Sequence, residues 1–122
     1  MTAWPTEIRL SAAKKTLSVT FEDGRSIALD AEYLRVMSPS AEVQGHSADE
    51  RKTVGGKVNV TILAVEPIGN YAVRLVFDDG HNTGLFTWAY LDELARDREA
   101  RWSAYLAALA QKGLARDRPG QS

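Results

Sequence analysis

The 122-residue chain has two histidines, and each follows a glycine: Gly45-His46 and Gly80-His81. Asp78 and Asp79 stand just before the second pair. If the segment carrying His46 folds back on the turn carrying His81, the two imidazoles and the Asp79 carboxylate form a set suited to a divalent metal such as zinc, iron or manganese. The plainer expectation is two solvated turn histidines, with Asp79 present for turn geometry. No short helical or strand spacing joins the two rings, as it does in most metal pairs.

Other chemistries are thinly represented. There are no cysteines, which excludes disulfides, thiolate metal sites and a cysteine nucleophile. No serine sits in a nucleophile-elbow pattern such as G-x-S-x-G. The glycines of GHNTG and VGGKV lack the phosphate-loop lysine spacing. Catalytic residues are therefore expected to be none. Trp88, Tyr90 and Trp102 suggest an aromatic patch, but aromatic residues at helical spacing usually serve a core, and Trp88 is assigned there. Trp102 and Tyr105 suit either a buried face or an exposed partner site.

Two stretches concentrate the candidate residues. The first is the loop SPSAEVQGH, with Ser38, Pro39, Ser40, Glu42, Gly45 and His46. The second is the hairpin Asp78, Asp79, Gly80 and His81. Ser38 can cap a one-turn helix beginning at Pro39, with Glu42 near its positive end. The aperiodic region from Ser38 to Gly56 is long for a compact domain, and such loops tend to carry function or to move.

The elements that must position these residues follow from periodicity. Ile8 and Leu10, then Leu17, Val19 and Phe21, alternate with polar residues and predict two half-buried strands. Asp23-Gly24 predicts a hairpin in which both turn residues accept positive φ. DAEYLRVM predicts a short helix with Asp30 as N-cap, ending before Pro39. GKVNVTILAV predicts a strand with Val58, Val60, Ile62 and Ala64 on one face. YAVRLVF predicts another, with Tyr71, Val73, Leu75 and Phe77 together. Asp79-Gly80 turns the chain into a short strand at NTGLF. Thr87 then caps a helix over about 88–112 whose stripe is Trp88, Leu91, Ala95, Trp102, Leu106 and Leu109; the charged run Arg96–Arg101 either breaks it or turns a wet face. Gly113 stops it, and 114–122 reads as a frayed tail.

One echo runs through this pattern. FEDGRSIALDAEYL and FDDGHNTGLFTWAYL share the order strand, Asp-Gly turn, strand, short helix, with Phe21, Asp23, Gly24 and Leu29 matching Phe77, Asp79, Gly80 and Leu85. Two independent hairpins using common turn chemistry explain it as simply as a repeat does. The fold class is α+β: mainly antiparallel strands built from β-hairpins, a short helix after the first hairpin and a longer C-terminal helix, in a single domain over 1–113.

Net charge is −1, which gives no global reason to bind nucleic acid or an acidic membrane. The N-terminus has no signal-peptide apolar run and nothing approaches spanning length, so a cytoplasmic location is the default.

The stretches LRVMSPSAEVQGH, VEPIGNYAV and FDDGHNTGLFTWAYL resemble a small bacterial domain-of-unknown-function family, also called the gamma-butyrobetaine hydroxylase-like N-terminal domain. The resemblance covers about residues 5–95. It implies a small α+β domain that stands alone, precedes the catalytic domain of certain dioxygenases, or is appended to Mrp-type P-loop ATPases that carry iron–sulfur clusters. It assigns no catalytic chemistry. In the dioxygenases it implies a structural zinc held by three cysteines and one histidine; those positions fall here on Ser38, Ser40, Val43 and His81. Two serines and a valine cannot replace thiolates, so that zinc site is expected to be absent. The expectation is a non-catalytic interaction or adapter module without a cofactor. Its unknown protein partner would belong to an iron–sulfur or Mrp-type ATPase system or be an oxygenase. Two alternatives stand beside it: the metal site of His46, His81 and Asp79, and a small-molecule pocket under the 38–57 loop.

Overall fold

The computed structural model describes residues 4–39 and 53–117. Six strands and three helices follow in the order β1 (Pro5–Leu10), β2 (Thr16–Phe21), β3 (Ser26–Asp30), α1 (Ala31–Val36), β4 (Ile62–Ile68), β5 (Ala72–Phe77), β6 (Leu85–Thr87), α2 (Trp88–Arg96) and α3 (Arg98–Gln111). The strands form two three-stranded antiparallel sheets, β1-β2-β3 and β4-β5-β6. The α+β class read from the sequence is the one observed.

Alternation does what it predicted in β2 and β5. Leu17, Val19 and Phe21 are buried while Thr16, Ser18 and Thr20 are half-buried. Val73, Leu75 and Phe77 face the same core from β5, with Arg74 turned outward. Tyr71, expected on that face, instead lies in the turn before β5 and is exposed. The core closes with Tyr33 and Leu34 of α1, Phe86 of β6, Leu91 and Leu94 of α2, and Tyr105 and Leu109 of α3.

Two expectations need correction. The strand predicted from Val58 begins only at Ile62. Upstream, the Val58 N–H goes to the Arg116 carbonyl and the Val60 N–H to Lys57, so these backbone groups find a C-terminal segment and a local turn rather than a strand neighbour. Asp30 occupies the N-cap of α1 without a side-chain cap bond; its carboxylate accepts from Arg98 Nη2 at 2.6 Å. Of the two outcomes left open for the charged run Arg96–Arg101, the break is the one observed: Asp97 leaves helical geometry (φ −99°, ψ 15°) between two helices. The break rotates the apolar face, so Tyr105 is buried where Leu106, expected in the stripe, is exposed. Thr87 does cap α2, accepting the Tyr90 N–H at 3.1 Å, and Gly113 follows α3 at φ +68°.

The chain past Gly113 stays on the body as far as it is described. Ala115 O accepts the Gly56 N–H at 2.8 Å, and Arg116 reaches α1. Residues 114–117 are therefore not the loose tail expected of them.

The sequence echo carries through into geometry. In both turns an i+3 to i bond closes first, Gly24 N to Phe21 O at 2.9 Å and Gly80 N to Phe77 O at 3.1 Å. Phe21 N then bonds Arg25 O at 2.8 Å, and Phe77 N bonds His81 O at 3.0 Å. Asp23 Oδ1 accepts the Arg25 N–H, and Asp79 Oδ1 the His81 N–H, both at 3.1 Å. The glycines sit at φ +90° and +91°, and neither aspartate has positive φ. Each is a type I turn completed by a glycine bulge, not the two-residue turn the sequence suggested. Each closes a three-stranded meander that runs directly into a helix.

Candidate functional site

The region of interest lies where the second turn meets the end of α1. Arg35 is in the last turn of α1, and Met37 and Ser38 follow it. Asp79 Oδ2 accepts from Arg35 Nε at 2.8 Å and from Lys57 Nζ at 2.6 Å. Burial pushes the Asp79 carboxyl up. Bonds from Lys57, the His81 N–H and Arg35 outweigh it and hold the group at about 2. Asp79 is thus a fixed anion that ties the turn to α1 and to the segment before β4.

Ser38 and His81 meet beside it. Ser38 Oγ and His81 Nε2 are hydrogen bonded at 2.8 Å, and the two residues are 0% and 5% exposed. Gly84 makes this approach possible, since a Cβ there would collide with Ser38 Oγ and press on Phe86 and Pro39. His81 also lies 6.0 Å from the Phe77 ring. It is therefore a buried packing residue, not the solvated turn histidine of the plainer expectation. The Ser38 hydroxyl, assigned from sequence to capping a helix at Pro39, is bonded to His81.

Asp78 Oδ1 accepts the Thr61 N–H at 3.1 Å, and Gly80 supplies the positive φ of the turn. Ser40, Glu42, Gly45 and His46 lie outside the described residues, so the proposed meeting of His46 with His81 does too. Among the described residues no group of three His, Asp or Glu side chains is placed to hold a metal ion. The zinc set implied by resemblance does not fit what is present. A neutral hydroxyl bonded directly to the imidazole leaves no gap for an ion between the two, and hydroxyls are poor zinc donors.

Residues the sequence did not single out complete the region. Arg35 and Lys57, the two cations on Asp79, are the first of these. Tyrosine hydroxyls act as pins to backbone carbonyls on other segments: Tyr33 to Leu94 at 2.7 Å, Tyr90 to Met37 at 2.5 Å and Tyr105 to Val54 at 2.5 Å. The last two hold the ends of the segment between α1 and β4 against α2 and α3. Trp102 is half-buried, edge-on to Tyr33 at 6.1 Å and under the Arg116 guanidinium, so it belongs to the packing rather than to a free aromatic patch. Trp88 is half-buried against the core and donates to Asn70 O at 3.0 Å.

A cleft of about 260 Å³ opens next to these pins, lined by Val36, Met37, Thr53, Arg101, Ala104, Tyr105 and Ala108. Its walls are mostly apolar.

Residues 8–92 match the model of the family described as gamma-butyrobetaine hydroxylase-like, N-terminal. A protein with an NMR solution structure is 49% identical, with a TM-score of 0.82 over 100% of this chain and 95% of the other. A second NMR solution structure is 42% identical, with a TM-score of 0.82 over 99% of this chain and 90% of the other. A crystal structure of a protein of unknown function from Acidithiobacillus ferrooxidans, described as a DUF971 family member, is 42% identical; it matches with a TM-score of 0.63 over 75% of this chain and 91% of that one. No curated protein matches the chain.

Proposed function

The chain belongs to the gamma-butyrobetaine hydroxylase-like N-terminal family, and from that membership and the site geometry we propose that it is a non-catalytic interaction module. The observation that carries this is the Ser38–His81 pair. A serine and a histidine at hydrogen-bond distance are the parts of a nucleophilic site, yet both are sealed from solvent and clamp the second turn onto the end of α1. A catalytic serine must reach a substrate carbonyl; this one reaches only protein. Asp79 is likewise held by two cations. The polar cluster builds a platform, and the surface it presents is the exposed turn Asp78–Gly80, with the sealed His81 beneath it.

The partner we favour is a protein of an iron–sulfur or Mrp-type ATPase system, or an oxygenase, as the family's appended settings suggest. The test uses purified components. A candidate partner captured by the intact chain is rebound to it and to a variant with residues 40–46 scrambled, by calorimetry. The expected result is an affinity loss of at least about tenfold, or about 1.4 kcal/mol, in the variant. Equal affinity rejects this segment as the contact, and turnover of any substrate by the chain alone rejects the module reading.

The apolar cleft beside Met37 and Thr53 favours a second reading, a small-molecule pocket at the ends of the 38–57 loop. Its volume is near the lower limit for ligand sites. A ligand that binds only the folded chain raises the melting temperature by mass action, so a thermal-shift screen tests it. A Tyr105→Phe control separates cleft binding from surface binding.

A further inference from the structure

The two sheets are built alike, and each turns one face away from the core. On the first sheet that face is rich in hydroxyls. Ser18, Thr20 and Ser26 line it, and the Thr20 and Ser26 hydroxyls share a hydrogen bond at 3.1 Å. The second sheet departs from this. Arg74 holds the register position of Ser18, Val76 that of Thr20 and Leu85 that of Ala28. Across the next strand, Ala64 pairs with Val76 and Glu66 with Arg74. Leu85 is 40% exposed, and Leu63, in the bulge beside Ala64, is 51% exposed. Single exposed leucines are ordinary. Here they flank a face whose twin on the first sheet is polar.

A second observation comes from the ion pair on this face. The Arg74 and Glu66 side chains are 45% and 43% exposed. Arg74 Nε and Nη2 both meet Glu66 Oε1, at 2.7 and 2.5 Å. Among the described residues, Glu66 Oε2 and Arg74 Nη1 make no such contact. An acceptor and a donor therefore stand open side by side, and the pair sums to zero. A neutral face with one charge of each sign beside the other is complementary to itself after a half-turn.

We propose that this outer face of the second sheet is a docking surface for a second copy of the chain. A two-fold axis running between β4 and β5, parallel to the strands, lays Glu66 of each copy over Arg74 of the other. Glu66 Oε2 then accepts from Arg74 Nη1 across the interface, twice, and the four groups close a neutral ring. The same axis sets Ala64 against Val76 and brings Leu85 beside the edge of β4, where Leu63 stands. Sheets pack face to face in this manner, about 10 Å apart. Three short strands cover less than the ~800 Å² per partner of a stable interface, so the dimer is a reversible one. The pairing is independent of the module reading, which rests on the turn Asp78–Gly80.

The test is sedimentation of the full chain at low salt, from about 10 µM to about 1 mM. The expected result is a mass that rises from one chain towards two across this range. Leu85→Asp holds it at one chain. Glu66→Arg alone and Arg74→Glu alone also stay monomeric, because like charges then face each other. Mixed in equal amounts, these two variants form a dimer at least as tight as that of the wild type, since every cross contact is again Arg against Glu. That rescue requires the two positions to meet, and a folding defect does not produce it. A wild type that stays monomeric at the top of the range, a Leu85→Asp chain that still dimerises, or a mixture that does not pair overturns the proposal.

Discussion

At the scale of single residues, Gly84 decides whether Ser38 and His81 can meet. A methyl group there displaces Ser38 from the imidazole and strains two further contacts. Gly84→Ala is expected to destabilise the fold by about 1–3 kcal/mol, as overpacking does in other cores, read as a lower denaturation midpoint with an unchanged slope. Asp79 supplies a second test at this scale. Its folded value near 2 lies below the ordinary aspartate value of about 3.9, so its stabilising effect is present above about pH 4 and lost as pH falls towards 2. Acid titration of the wild type should show that loss, and Asp79→Asn should flatten it. The sequence singled out Ser38, Asp79 and His81, but not the bond between Ser38 and His81. Forty-three positions separate them, and only the packing of the second turn against α1 brings them together.

At the scale of elements, the two glycine turns are an internal control. Gly24 and Gly80 have nearly the same positive φ, and a Cβ at either meets nothing within 4 Å. Alanine at each should therefore cost only backbone strain, about 1–2 kcal/mol, and nearly the same amount at both sites. Chemical denaturation of Gly24→Ala and Gly80→Ala checks this, and a large inequality would break the equivalence of the turns. Strands with clean alternation, β2 and β5, were readable from sequence because burial on one face imposes the period. The start of β4 was not. Val58 and Val60 continue the alternation, yet their N–H groups bond Arg116 and Lys57. The break at Asp97 had only a run of charges to mark it, with neither proline nor glycine in it.

At the scale of the whole molecule, the two meander-and-helix halves grip each other reciprocally. Arg25 in the first turn bonds Asp92, five residues past the N-cap of α2. Asp79 in the second bonds Arg35, five residues past the N-cap of α1, with the charges reversed. Double-mutant cycles should give a smaller coupling for the more exposed Arg25–Asp92 pair than for Arg35–Asp79. Alkali tests the tyrosine pins that join the same halves. Burial raises Tyr33 and Tyr105 to about 12. The unfolded chain ionises first, so stability is full below about pH 10 and is lost as pH rises towards 12. Phenolate absorbance should then appear together with loss of the near-ultraviolet dichroism. The α+β class was legible because hairpin turns and strand periods are local. The reciprocal contacts were not, since charges on distant segments have no signature in the linear chain.

β4 is an outer strand of its sheet, and its register against β5 slips between Ile62 and Ala64, while Pro67 has no N–H to offer. A kinked ribbon with a missing donor is a poor template for a visiting strand. Whatever docks on this side of the molecule must recognise side chains rather than zip onto the backbone, and that same irregularity guards the chain against growing into stacked ribbons.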